Sequence, residues 1–390
     1  MWSSVNSGQQ VLARVAPAAA GLAPAVLDEA TALLTQFVAD RKIAGAVAAV
    51  ARRGQVGYLH AVGVQDLTTR APMTERSLFR VYSMTKAVTA AAVMMLHEQG
   101  KFRLDDPVEK YLPEFAAVQV MDTPGAPPRP PVRPIIIEDL LLHTSGLSHR
   151  TSELYRTLAV RSRADTLPTF IAKITKAPLM EDPHTRFRYS EATTVLGRLV
   201  EVWSGQAFDA FLRTHIFTPL GMTDTVFVVG LDRRDRLATV YGPAPGGGLV
   251  PVEMEAVPFT VPALQEGAVG LVSSVPDFLR FSQMLLDRGA LGGTRLLKAE
   301  TVARMTANGL PADVLEARGG VMGWGLGNVD VRMDGPGGNV GEYGWDGTAG
   351  TIFWVDPKTE TVVILMTQSM PANPGGLRQK FKALVDAAVR

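Results

Sequence analysis

Apolar positions recur at helical spacing over residues 24–40, and two short apolar runs follow at 43–51 and 55–62, separated by Arg53-Gly54. The first pattern predicts an amphipathic helix and the second a β-hairpin. Residues 79–82 read as the end of an extended segment. A helix is predicted over 83–99; its stretch 87–96 is nearly all apolar, which implies burial, and Gly100 ends it. Residues 104–108 form a turn into a short amphipathic piece. The proline-dense stretch 123–134 must be a loop, because proline fixes φ and has no N–H to donate. Helical patterns recur at 137–142, 167–176, 191–204 and 208–216, and 243–248 is a flexible loop.

After Gly270 the pattern changes. Residues 276–287 and 298–305 are predicted helical. Short β-branched or aromatic runs then occupy 324–332, 341–345, 351–356 and 361–367, between glycine-rich or Asp-Pro turns. These predict an antiparallel meander, and 377–389 closes the chain as an amphipathic helix. Strands at both ends with helices between predict an α/β (α+β) fold. One antiparallel sheet flanked by helices is built from 1–75 and 265–390, a mainly helical region is inserted at 76–264, and a cleft separates the two.

Composition narrows the function. The 390 residues are 46% hydrophobic and 20% charged, an ordinary globular balance with length for a large core. Net charge is +1, from 39 basic and 38 acidic residues without a basic run, so nucleic acid is not an expected partner. The lack of cysteine excludes disulfides, thiol catalysis and thiolate-bound metals. The six histidines are scattered, so neither a metal nor a cofactor is expected. No apolar run reaches membrane-spanning length. Residues 11–27 are alanine- and proline-rich but lack the basic start and continuous apolar core of a signal peptide, so the cytoplasm is the expected compartment.

The chemistry concentrates in three places. Ser83-Met84-Thr85-Lys86 opens the buried helix, and residues i and i+3 share one helix face. A serine there lies where free N–H groups and the positive dipole end favour an oxyanion. Apolar surroundings disfavour an ammonium, which suits Lys86 to accept the serine proton. The tetrapeptide alone is common on exposed helices; its buried setting gives it weight. Tyr189-Ser190-Glu191 opens a second helix, with Ser190 as a good N-cap that sets Tyr189 on a defined turn. A phenol there can relay a proton between a serine and a leaving group, although taken alone a merely packed tyrosine is commoner. In Gly344-Trp345-Asp346-Gly347-Thr348-Ala349-Gly350, glycines at a strand edge let a ligand approach the backbone. A backbone N–H from that strand and the N–H of Ser83 would make a two-donor oxyanion hole; a plain glycine-rich hairpin is the equal alternative. No Gly-x-Ser-x-Gly occurs, which argues against an α/β-hydrolase elbow. His143 and Ser145 read as structural residues at a helix end and turn.

Together these features resemble the serine β-lactamase and penicillin-binding-protein superfamily, closest to class C β-lactamases and the family VIII carboxylesterases. Ser77-Leu78-Phe79-Arg80, Leu104-Asp105-Asp106-Pro107-Val108 and Leu140-Leu141-Leu142-His143-Thr144-Ser145-Gly146-Leu147 add to the likeness, which runs from about residue 22 to the C-terminus in the expected order. The resemblance implies a β-lactamase/transpeptidase-like fold, Ser83 as nucleophile, and Lys86 with Tyr189 as the base. It puts the family's Tyr-x-Asn motif on Tyr189-Ser190-Glu191 and its Lys-Thr-Gly strand motif on Trp345-Asp346-Gly347. The oxyanion donors are then the N–H groups of Ser83 and Thr348. Trp345, Asp346 and Gly347, with Tyr82 beside the serine, are the substrate-binding candidates.

Two departures refine the expectation. Glu191 replaces the family asparagine, and it either caps its helix or touches the leaving group. Trp345 replaces the lysine that holds the substrate carboxylate in β-lactam-processing members. An indole cannot pair with an anion as an ammonium does, so a neutral ester is favoured. The expected protein is a serine carboxylesterase for short to medium acyl esters, a small-molecule substrate. The alternatives are a β-lactamase or D,D-peptidase, an acyltransferase or amide hydrolase on the same fold, and a non-catalytic binding module. The last would be expected to have lost Ser83, Lys86 or Tyr189.

Overall fold

The two ends of the chain meet in one sheet. The computed structural model describes residues 12–121, 123, 127–254, 258–259, 264–335 and 337–389. Residue 11 of the alanine- and proline-rich stretch and residues 124–126 of the proline-dense loop lie outside them. Helix α1 (Pro24–Ala39) leads into the hairpin β1 (Gly45–Arg52) and β2 (Gln55–Gly63). The C-terminal part supplies β3 (Met322–Gly325), β4 (Val329–Arg332), β5 (Tyr343–Gly347), β6 (Thr351–Asp356) and β7 (Thr361–Thr367). The sheet order is β2-β1-β7-β6-β5-β4-β3, with every neighbouring pair antiparallel.

Period-two alternation explains why β1 reads as an unbroken apolar run. Ala46, Ala48 and Val50 face one side, with Leu27, Leu34 and Phe37 of α1 and with Phe381 and Val385 of the C-terminal helix. Val47, Ala49 and Ala51 face the other, with Phe278 and Phe281 and the buried helix after Ser83. Both faces are covered, so neither can be polar. Between β2 and β3 the described residues add no strand to this sheet. They carry most of the helices, among them α2 (Thr85–Glu98), α3 (Ala192–Ser204) and α4 (Val275–Leu286), and α5 (Leu377–Ala388) follows the sheet. Among the described residues no helix is long and apolar enough to cross a membrane.

Some elements differ from the sequence pattern. The run 324–332 is two strands, folded back at a turn where Asn328 takes φ 55°. The pattern 208–216 is an α-helix, Phe208–Leu212, continued by a π-helical turn, Arg213–Phe217. The loop at 243–248 is the tip of a small hairpin, Tyr241–Pro243 with Leu249–Pro251, and Phe79–Arg80 pairs with Val272–Ser273. These strands of two or three residues are too short for periodicity to register.

One buried carboxylate makes stability depend on pH. Asp277, in the first turn of α4, accepts hydrogen bonds from the Asp224 N–H (2.7 Å) and the Thr225 hydroxyl (2.9 Å). Burial nevertheless pushes its pKa up to about 6, and the like charge of Asp224 adds to the shift. The native state therefore holds this proton more tightly than the unfolded chain, and its contribution to stability falls as pH rises between about pH 4 and pH 6. Urea titrations across that window should show this slope, and Asp277→Asn should flatten it. An unchanged slope in the variant would remove Asp277 as its source.

Candidate active site

Ser83 lies in a 3-10 turn, Tyr82–Met84, that feeds directly into α2. The turn is sharp. Tyr82 sits at φ 43°, a left-handed conformation that costs a non-glycine residue about 1–3 kcal/mol and persists only where packing holds it. That packing comes from Val240, Ala268, Val269 and Ala349, which enclose the Tyr82 ring. Tyr82 is 3% exposed and anchors the turn.

One turn after Ser83, Lys86 is 1% exposed. Its Nζ donates to the Ala268 carbonyl at 2.9 Å and lies 3.5 Å from Ser83 Oγ. The same nitrogen sits 4.5 Å from the centre of the Tyr189 ring. Tyr189 in turn accepts a hydrogen bond at its phenolic oxygen from the indole Nε1–H of Trp345, at 3.0 Å. The structure thus brings Ser83, Lys86, Tyr189 and Trp345 together.

Two contacts of His143 bracket Tyr189. The Arg188 N–H donates to the His143 carbonyl (2.8 Å), and His143 Nδ1 shares a hydrogen bond with Ser190 Oγ (3.1 Å). The imidazole is fully buried, and burial pushes its pKa well below the ordinary value, with the charge of Lys86 adding to the effect. A neutral ring in that position is a positioning group for the turn, in keeping with its structural reading. Ser190 Oγ also accepts the Ala192 N–H at 3.3 Å, although the N-cap position belongs to Glu191, one residue later than the sequence suggests.

The strand side completes the arrangement. A Cβ on Gly347 would lie 2.4 Å from the Val81 carbonyl oxygen, so only glycine lets β5 press against the serine turn. Thr348 follows in the turn to β6. Asp346 departs from its expected role. Neighbours on a strand point to opposite faces, and with Trp345 against Tyr189, Asp346 turns toward α5 and pairs with Arg378. The Arg378 Nη2 also donates to the carbonyls of Gly347 and Thr351, both at 3.1 Å, so this pair braces the turn that carries Thr348.

Two further groups border the site. Glu191 is 1% exposed, and its Oε2 accepts from the Thr194 hydroxyl at 2.9 Å. Burial pushes its pKa up, but Arg150, Lys86, Arg161 and His149 together hold it below the usual carboxylate value, so it is an ionised group inside the protein. The His149 ring stacks on Tyr189, with centroids 5.8 Å apart and planes 25° apart. Its Nδ1 shares a hydrogen bond with the Thr151 hydroxyl at 2.7 Å and lies 3.3 Å from the Thr151 N. Burial pushes its pKa down, Glu191 resists, and Arg150 and Lys86 add to the lowering. No local pattern in the sequence marks His149.

A buried serine and lysine one helical turn apart, with a phenol beside the lysine, are groups that serine acyl transfer uses. Residues 30–387 match the beta-lactamase family model. The chain belongs to the beta-lactamase family. Esterase EstB of Burkholderia gladioli is 31% identical over 367 residues, covering 87% of this chain and 89% of the esterase. Penicillin-binding protein 4 of Amycolatopsis lactamdurans is 33% identical over 358 residues, 88% of this chain and 84% of its own. Among solved structures, EstCE1, described as a hydrolase with promiscuous acyltransferase activity, superposes with a TM-score of 0.80 at 27% identity, over 94% of this chain and 98% of its own. Family and esterase relatives together support a serine hydrolase of β-lactamase fold.

Proposed function

We propose that this protein is a serine carboxylesterase acting on neutral, short to medium acyl esters. The observation that carries the proposal is the Trp345 N–H bound to the Tyr189 oxygen at 3.0 Å, where the family resemblance puts a lysine. An indole N–H can favour a developing phenolate by donating to it, yet it offers no cation for a substrate carboxylate. The tyrosine thus keeps its support while the anion site is lost.

In the proposed cycle Ser83 Oγ attacks the ester carbonyl carbon and passes its proton to the Lys86–Tyr189 pair. The N–H groups of Ser83 and Thr348 hold the tetrahedral oxyanion. The C–O bond to the alcohol breaks, and the leaving oxygen takes the proton back. Water then enters by the same route in reverse and releases the acid. EstB and EstCE1 support this reading, and the likeness to penicillin-binding protein 4 keeps a β-lactamase or D,D-peptidase as the alternative that the assay decides. An alcohol in place of water would make the same cycle an acyl transfer, which the description of EstCE1 makes worth assaying.

A panel of p-nitrophenyl esters, β-lactams and D-Ala-D-Ala peptides tests the proposal. A carboxylate left unpaired in a dry site costs several kcal/mol, whereas an alkyl group gains about 0.8 kcal/mol per CH₂ buried. Butyryl esters should be turned over well, and penicillins should be poor substrates or slow acylating inhibitors. Trp345→Lys should shift the ratio toward carboxylate-bearing substrates. A wild-type kcat/KM higher for penicillins than for p-nitrophenyl butyrate would replace the esterase reading with the β-lactamase one.

A further inference from the structure

The stronger contact of Lys86 is not with the serine. Its Nζ lies 2.9 Å from the Ala268 carbonyl and 3.5 Å from Ser83 Oγ. A lysine end is a compact charge on a flexible four-carbon stem, so the carbonyl that binds it decides where it sits. Ala268 belongs to an irregular segment, 264–270, and the fixing of that segment becomes a question about the base.

Several bonds hold it. Glu266 closes a turn around Ala268, its carbonyl accepting the N–H groups of Val269 (3.2 Å) and Gly270 (2.9 Å). The Gly267 carbonyl accepts the Thr89 hydroxyl at 2.7 Å, on the same helix as Lys86. A Cβ on Gly267 would lie 2.6 Å from the Thr193 carbonyl oxygen, so the segment is pressed close to α3 as well. The Gln265 side chain accepts the Asp209 N–H at 3.0 Å. The charged tie is Glu266 with Arg161. The guanidinium meets the carboxylate through two nitrogens, Nε to Oε1 and Nη2 to Oε2, the latter at 2.6 Å. The two side chains are only 10% and 11% exposed, and they come from positions 105 residues apart.

We propose that Arg161 and Glu266 are positioning residues for the base: a buried latch that fixes the Ala268 carbonyl and, through it, Lys86. The inference rests on the reading of Lys86 as part of the base. The segment bearing Arg161 is also tied to the rim of the site. Val160 N–H donates to the Tyr155 carbonyl (3.1 Å), and Tyr155 Oη accepts the Ser148 N–H (2.9 Å), next to His149. Arg161 also contributes to keeping Glu191 ionised. A buried ion pair can often be replaced by apolar residues without loss of stability, whereas a two-pronged guanidinium–carboxylate contact fixes geometry in a way that apolar contact does not. The latch should therefore matter more to turnover than to folding.

The test is the double variant Arg161→Met/Glu266→Met, which leaves no lone buried charge. Measurements are kcat and KM on p-nitrophenyl butyrate, the rate constant of p-nitrophenyl phosphonate addition, and Tm. With the fold intact, kcat and the phosphonate rate should fall together by about ten- to a hundredfold, the scale of a base displaced by a fraction of an ångström to an ångström, with KM changed far less. Arg161→Lys keeps the charge and loses the fork, so it should show the same loss in milder form. If the double variant does not fold, Arg161→Lys decides by itself. Wild-type kcat and phosphonate rate in a folded variant overturn the latch, however far Tm falls. Lys86→Ala, assayed alongside, separates the two ideas: if it retains activity, the base assignment fails, whatever the latch variants do.

Discussion

Replacing Ser83 with alanine should lower kcat on p-nitrophenyl butyrate by about a thousandfold or more, because the covalent route is removed while binding survives. The serine sits in a strained turn with its oxygen 3.5 Å from a buried lysine, and it is followed at once by helix α2. That setting distinguishes it from the neighbouring serines. Ser145 Oγ accepts the Leu147 N–H within its own turn, and Ser148 lends its carbonyl to the Glu191 N–H. An aryl phosphonate should accordingly form one bond from phosphorus to serine oxygen, expel its phenolate, and leave a single adduct on the peptide that contains Ser83. Labelling on Ser145 or Ser148 would sink the assignment.

The second large effect concerns Lys86 and Tyr189 as a unit. The Lys86 Nζ lies over the phenol ring at 4.5 Å, and the phenol oxygen is bound by Trp345. In the proposed cycle both groups serve one proton, so removing either should cost nearly as much as removing both. Lys86→Ala and Tyr189→Phe are each expected to lose about a thousandfold in kcat, with the double variant little worse. Losses that simply add in logarithmic terms would show two independent groups.

Much of this site is legible in the chain because it is local. Ser83 and Lys86 need only the helical spacing of three residues and the apolar run behind them. The burial of β1 and the amphipathic pattern of α1 follow from which positions are apolar, and the motifs occur in the order that the fold requires. The glycines of 344–350 read as places where a ligand approaches the backbone; at Gly347 the neighbour is the chain's own Val81 carbonyl, which no local pattern reveals.

Contacts between distant segments leave no such trace. Trp345 and Tyr189 are 156 residues apart, and neither position carries a local sign of the other. Strand alternation dictates that Trp345 and Asp346 face opposite ways, but only the packing of α5, with Arg378, decides which of them meets the site. Tyr82 is apolar enough for either a pocket wall or a core, and only the fold groups it with Ala268 and Ala349. His149 reaches Tyr189, and Arg161 reaches Glu266, through loops whose course no periodicity encodes. Local pattern is set by the chain's own repeat, one face per 3.6 or two residues. Which faces then meet, and which charges find partners, is settled when the two ends of the chain close one sheet and the intervening helices pack against it.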